Sequence, residues 1–177
     1  MNLRHLCSTS HVTVSFDSWN NWLFVEWKGN LTLSDVQYSC LEVAQCFVKH
    51  SYPRVLNSDA QVTSLPWEVA PWLAKHYFPG LELAGIEQLA WVHAPSLRGR
   101  SLAEQVLRQL PNLNIGLFAD VEDATNWLQQ TQPEYTSGCA LLPRPVAAET
   151  QLAQTVAQFK QALDHIGVGT ELAATAT

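Results

Sequence analysis

The sequence predicts an α/β domain, and three observations carry that prediction. Two strand patterns stand side by side near the start, at residues 12–16 and 22–28. Helical and strand patterns then alternate to about residue 130, most plainly over 67–94, where an aromatic helix gives way at Pro79 and Gly80 to a hydrophobic strand. Capping pairs, Thr32 with Asp35 and Asp120 with Asp123, mark two of the helix starts.

Residues 1–11 carry Ser, Thr and His without periodicity and are expected to form a flexible arm. Val12, Val14 and Phe16 alternate with Thr13 and Ser15, the pattern of a half-buried strand. The polar cluster from Asp17 to Asn21 supplies a turn into 22–28 (WLFVEWK), so the two strands form a hairpin, ended by Gly29 and Asn30. Behind the Thr32 cap, Leu33, Val36, Cys40, Val43, Ala44 and Phe47 share one helical face, in a helix that ends near His50. Residues 54–58 (RVLNS) read as a third strand and 59–66 as the loop after it, with Ser64 the expected cap of the next helix. Pro71 would break a helix interior, so that helix starts at about Pro71 or kinks there. The run 86–93 is nearly all apolar, which predicts a strand covered on both faces. Residues 95–100 follow as a loop, Ser101 caps a helix to Leu110, and 114–118 (NIGLF) is a fifth strand. Asp120 then opens a helix through Trp127 and Leu128 to about Gln130.

From 131 to 146 the prolines indicate a linker. A final helix over 147–166 spaces Leu152, Val156, Phe159, Leu163 and Ile166 by four, three, four and three residues. That seam is narrow and suits one apolar groove or one partner helix. Gly167 and Gly169 are expected to stop it, leaving 167–177 as a disordered tail.

Composition sets the bounds on function. With 177 residues, 47% of them hydrophobic and 15% charged, the chain supplies one well-buried domain and an appendage. A net charge of -6, with only 10 Lys and Arg spread along the chain, argues against the clustered basic surface that nucleic-acid binding requires. No run approaches the roughly 20 apolar residues of a membrane span. The N-terminus lacks the apolar stretch of a signal peptide, so a soluble cytoplasmic protein is expected. The four cysteines, at 7, 40, 46 and 139, form no CxxC pair and read as reduced thiols. Cys40 and Cys46 sit six residues apart in one helix, on different faces. The six histidines make no HxH or HxxxH pair, and neither a metal nor a cofactor is expected.

Three stretches carry a resemblance: FVEWKG at 24–29, WLAKHYFPGLELAGIEQLAWV at 72–92 and EDATNWL at 122–128. With the order of elements, they make the chain resemble uncharacterised bacterial proteins of the STAS/CRAL-TRIO type over about residues 12–130. The resemblance implies a STAS-like βα superhelix: an N-terminal β-hairpin, then repeated helix-strand units whose successive strands lie side by side, here with an additional C-terminal helix. In anti-sigma-factor antagonists of this fold, a serine in an Asp-Ser-Ser/Thr-Gly motif after the third strand is phosphorylated and controls partner binding. The corresponding loop here reads NSDAQVTSLPWE and lacks that motif. Ser58 and Ser64 lie nearest its place and are the phosphorylation candidates.

Other candidates come from the residues themselves. Asp59 follows the third strand, and sites of α/β sheets gather beyond the carboxyl ends of parallel strands. His93 ends the next strand and could meet it, but no nucleophile turn of the GxSxG kind is present. Arg98 and Arg100, in the loop SLRGRS before a helix start, could hold an anionic ligand. Trp67 and Trp72, with Tyr77 and Phe78, could line a pocket for an apolar ligand. The leading expectation is a non-enzymatic regulatory domain that works by protein contact, as a homodimer or with another protein. The alternative is a small-molecule or lipid-binding module walled by the aromatic helix at 67–78. An enzymatic reading requires Asp59, His93 and Arg98 or Arg100 to converge.

Overall fold

The computed structural model describes residues 1–110, 113–131 and 144–174. Among the described residues, six strands form one sheet in the order β1-β2-β3-β4-β5-β6. They are β1 (Leu3–Ser8), β2 (Val12–Asp17), β3 (Trp22–Asn30), β4 (Arg54–Ser64), β5 (Gln88–Val92) and β6 (Ile115–Phe118). The first two pairings are antiparallel and the other three parallel, so each parallel step needs a crossover. α1 (Leu33–Lys49) joins β3 to β4. α2 (Val69–Trp72), a π-helical turn (Leu73–Tyr77) and α3 (Phe78–Leu83) join β4 to β5, and α4 (Leu97–Leu107) joins β5 to β6. α5 (Val121–Gln130) and α6 (Val146–Ala174) follow. Strands adjacent in sequence are adjacent in the sheet, as the STAS-like resemblance implies, and the additional C-terminal helix is present.

Side chains alternate across a strand, so parity sorts the two faces of the sheet. On one face Val12, Val14, Leu23, Val25, Trp27, Val55, Leu89 and Trp91 join the main core with Val36, Val43 and Phe47 of α1 and with Leu102 and Val106 of α4. On the other, Trp22, Phe24, Leu56, Ala90 and Val92 pack with Ala124 and Leu128 of α5. α1 starts where expected: the Thr32 hydroxyl accepts from the Asp35 N–H, and the Asp35 carboxylate accepts from the Thr32 N–H. The seam of α6 lies on its own chain, against α1 and α3, with Leu152 and Leu163 buried and Val156 and Phe159 partly so. Arg144 fixes the entry to α6 by donating to the carbonyls of Phe47 and Ala84 at 3.1 and 2.8 Å.

Several boundaries differ from expectation, each for a local reason. Residues 3–8 are not an arm but the edge strand β1. Four of its six side chains are exposed and only Leu6 and Cys7 are partly buried, so burial imposes no period, and a bulge between His5 and Cys7 interrupts the ladder. The third expected strand does not stop at Ser58: β4 runs to Ser64, so Asp59 lies inside a strand and Ser64 caps nothing. α2 begins at Val69 with Pro71 in its first turn, where a missing N–H does no harm. Pro79 and Gly80 do not break the helix. The Phe78 N–H reaches back to the Leu73 carbonyl across the widened π turn, and α3 continues through both residues. Ser96, rather than Ser101, caps α4, its hydroxyl accepting from the Gly99 N–H at 3.0 Å. α6 passes Gly167 and Gly169 and extends to Ala174, because glycine weakens a helix without ending it unless the chain turns left-handed there. The linker expected at 131–146 falls largely outside the described residues.

Candidate functional site

The main core contains a cavity of about 70 Å³ between the sheet and the helices α1 to α4. Its walls are apolar, with Val36, Val43 and Phe47 from α1, Leu73 and Tyr77 from the π turn, and Phe78 from α3. Its floor is the sheet, and the floor is where polar groups enter.

Sheet register brings those groups together. Val25, Asn57 and Trp91 lie in one cross-strand row on β3, β4 and β5, and Trp27 and Asp59 lie two residues further along their strands on the same face. A bulge then changes the parity of β4: Glu26 pairs with Ser58 but Lys28 with Gln61, so β4 carries one extra residue. Asp59 before the bulge and Val62 after it therefore both face the cavity. The hydrogen bonds run as a chain. The Trp27 indole N–H donates to Asn57 Oδ1 at 2.9 Å, Asn57 Nδ2 donates to Asp59 Oδ1 at 3.2 Å, and the Trp91 indole N–H donates to Asp59 Oδ2 at 2.7 Å.

Asp59 is 9% exposed. Burial pushes its carboxyl up to about 6, although donation from Trp91 and Asn57 and the nearby His93 pull the other way. Burial likewise raises the Cys40 thiol, helped by the charge of Asp59, and raises the Tyr77 hydroxyl well above its usual range. All three line one low-dielectric chamber whose carboxyl changes charge near neutral pH. Phe47 and Tyr77 also wall a second cavity of about 20 Å³, closed by Leu152, Val156 and Phe159 of α6. These two rings are the partition between the chamber and the space under the terminal helix.

The sequence-derived candidates are distributed unevenly around this chamber. Asp59 lines it, and His93 lies near, with its Nδ1 2.8 Å from the Ala94 carbonyl oxygen. Trp72 faces outward under α6, its ring 5.6 Å from that of Phe159. Trp67 is 48% exposed, with the Arg98 guanidinium 5.4 Å above its ring. Arg100 pairs with Glu104 at 2.9 Å on the surface of α4. Asp59, His93 and the two arginines therefore do not converge. Ser58 is 5% exposed inside β4, whereas Ser64 is exposed at the end of that strand. Ser64 and Arg98 border an open groove of about 450 Å³ with Thr32, Pro66 and Glu68. Asn57, Trp27, Trp91, Phe47 and Cys40 are site residues that the sequence reading missed. Asn57 carried a usable signal, being an amide in the middle of a hydrophobic strand. Among the described residues no group of three or more His, Cys, Asp or Glu is placed to hold a metal, and no helix is long and apolar enough to cross a membrane.

No family model matches this chain, and no curated protein does. Among solved structures it is similar to an uncharacterized protein from the DUF3478 family with a SpoIIAA-like fold, from Shewanella loihica PV-4. The two are 20% identical, the match covers 70% of this chain and 98% of that one, and the TM-score is 0.44. The fold assignment rests on the strand order and connections described above.

Proposed function

We propose that the domain binds a small apolar molecule carrying one hydrogen-bonding group, in the chamber between the sheet and α1 to α4. One observation carries this reading: a cavity walled by aliphatic and aromatic side chains has a single buried carboxyl on its floor, held by the Trp91 indole and by the Asn57 amide, which the Trp27 indole holds in turn. Protein interiors are close-packed, so a cavity with an oriented polar group is the pattern of a ligand site rather than of a core. Size limits the guest. An apolar cavity of about 150 Å³ holds benzene, so about 70 Å³ suits a short chain or a single ring that displaces Tyr77 or Phe47. The π turn that carries Tyr77 supports such movement, since inserted π turns are frequent at functional sites. Native mass spectrometry of freshly purified chain, with melting curves in a panel of short alcohols, indole and benzyl alcohol, tests it. A ligand at a hundredfold excess over Kd stabilises by about 2.7 kcal/mol. A bare mass together with unshifted melting across the panel would sink the proposal.

A second reading, regulation by protein contact, is supported by the surface beyond the carboxyl ends of β3 and β4. Leu97 is 88% exposed and precedes Arg98, which lies over the Trp67 ring and borders the same groove as Ser64. A partner domain or a second copy would cover this edge. The α6 seam, which suggested self-association, is occupied by its own α1 and α3. Light scattering of wild type against Leu97→Glu tests it: a dimer lost in the variant supports the contact, and a monomer in both removes self-association.

A further inference from the structure

Cys7 on β1 and Cys46 on α1 are 39 residues apart in sequence, yet their sulfurs lie 3.5 Å apart. Both are free thiols. A disulfide needs about 2.0 Å between sulfurs, so small side-chain rotations bridge the remaining distance. The placement is held at two points. Ser39, two helical turns before Cys46 on the same face of α1, has its hydroxyl 3.1 Å from that of Thr9, just beyond β1. The bulge between His5 and Cys7 lets Cys7 face α1 rather than follow the regular alternation of the edge strand.

We propose that Cys7 and Cys46 form an oxidative modification site, where a hydroperoxide converts the two thiols to a disulfide that staples the edge strand to α1. Cys7 is the less buried and reacts first. With hydrogen peroxide, its sulfur attacks one peroxide oxygen, the O–O bond breaks, and Cys7 becomes a sulfenic acid as one water leaves. The Cys46 sulfur then attacks the Cys7 sulfur, the S–S bond forms, and the sulfenic oxygen departs as a second water with the Cys46 proton. Two thiols lose two electrons and two protons in all, and the peroxide takes up both. Burial raises both thiols, Cys46 to about 12, with Glu42 adding to the rise and Lys49 opposing it. The reaction is therefore slow and relies on proximity, unlike that of an exposed low-pKa thiol.

The test uses the full chain, reduced and then exposed to hydrogen peroxide. Peptide mapping without reductant is expected to join the Cys7 peptide to the Cys46 peptide, with the intact mass lower by about 2 Da. The cross-link restrains the unfolded chain, so the melting temperature rises by about 5–10 °C and falls back on adding dithiothreitol. Cys7→Ser removes only a half-buried thiol; it is expected to melt like the reduced wild type and to show neither cross-link nor rise. Bridges formed only through Cys139 or between chains would overturn the proposal. So would Cys7 and Cys46 that both remain alkylatable after peroxide treatment of the folded chain.

Discussion

The two faces of the sheet are packed to different ends. Under α5, Ala90 and Ala124 let the helix approach closely, and Leu56, Val92 and Leu128 fill the layer with no exposed surface. The buried cation on that side, Arg54, is engaged structurally, donating to the carbonyls of Asn20 and Leu128 and lying over the Trp22 ring. Under α1 to α4 the core is larger, yet it keeps a cavity, and its buried charge, Asp59, is held by cavity-lining side chains. A dense layer with a fully engaged cation serves stability. The looser layer, with a carboxyl raised to about 6, is the one in which the proposed guest would sit.

The largest effect expected from this contrast is on the dense side. Leu128→Ala removes a fully buried side chain from a layer that cannot collapse, and should lower unfolding free energy in urea by about 3–5 kcal/mol. Next comes pH. Because burial raises Asp59 from its ordinary 3.8 to about 6, the folded chain holds that proton more tightly than the unfolded chain does. Its contribution is fully present below the ordinary value and is lost as pH rises through about 6, a fall on the order of 3 kcal/mol between pH 4 and 7. Urea midpoints across that range should show the decline in wild type and a flatter profile in Asp59→Asn. Enlarging one side chain on each face sharpens the comparison. Ala90→Val should overpack the α5 layer and destabilise by about 1–3 kcal/mol, whereas Val43→Ile, at the cavity wall, should stabilise by up to about 1 kcal/mol. Equal penalties in thermal melts would erase the distinction between the faces. The smallest effect is at the surface: Arg100→Ala loses one exposed pair with Glu104, and stability should change by less than about 0.5 kcal/mol.

Elements whose signals are local could be read from the sequence. The Thr32–Asp35 and Asp120–Asp123 caps, the β2 alternation and the aromatic run before β5 needed nothing but their neighbours. The errors came where tertiary structure overrides local pattern. β4 looked like a strand followed by a loop because its polar residues Asn57 and Asp59 are buried by indoles from β3 and β5, partners that only the sheet brings near. The bulge after Ser58 then broke the alternation that would have extended the strand. Ser101 looked like a cap because Gly99 resembled a loop residue. It is a glycine because a Cβ there would meet that of Ala94 at 2.5 Å, in the first turn of α4. Asp59 was singled out for its position beyond a strand and proves to lie within one, while the aromatic helix contributes Tyr77 and Phe78 to the site and turns Trp67 away.

Calorimetric titration of the full chain with benzyl alcohol, beside a Val43→Ile/Val62→Ile variant whose added methyls fill the chamber, tests the ligand-binding claim most directly. The expected result is saturable binding at one site with a negative heat-capacity change in the wild type, and its loss in a variant that melts no lower. Absence of saturable heat up to the solubility limit of benzyl alcohol, or equal binding by the filled variant, would contradict it.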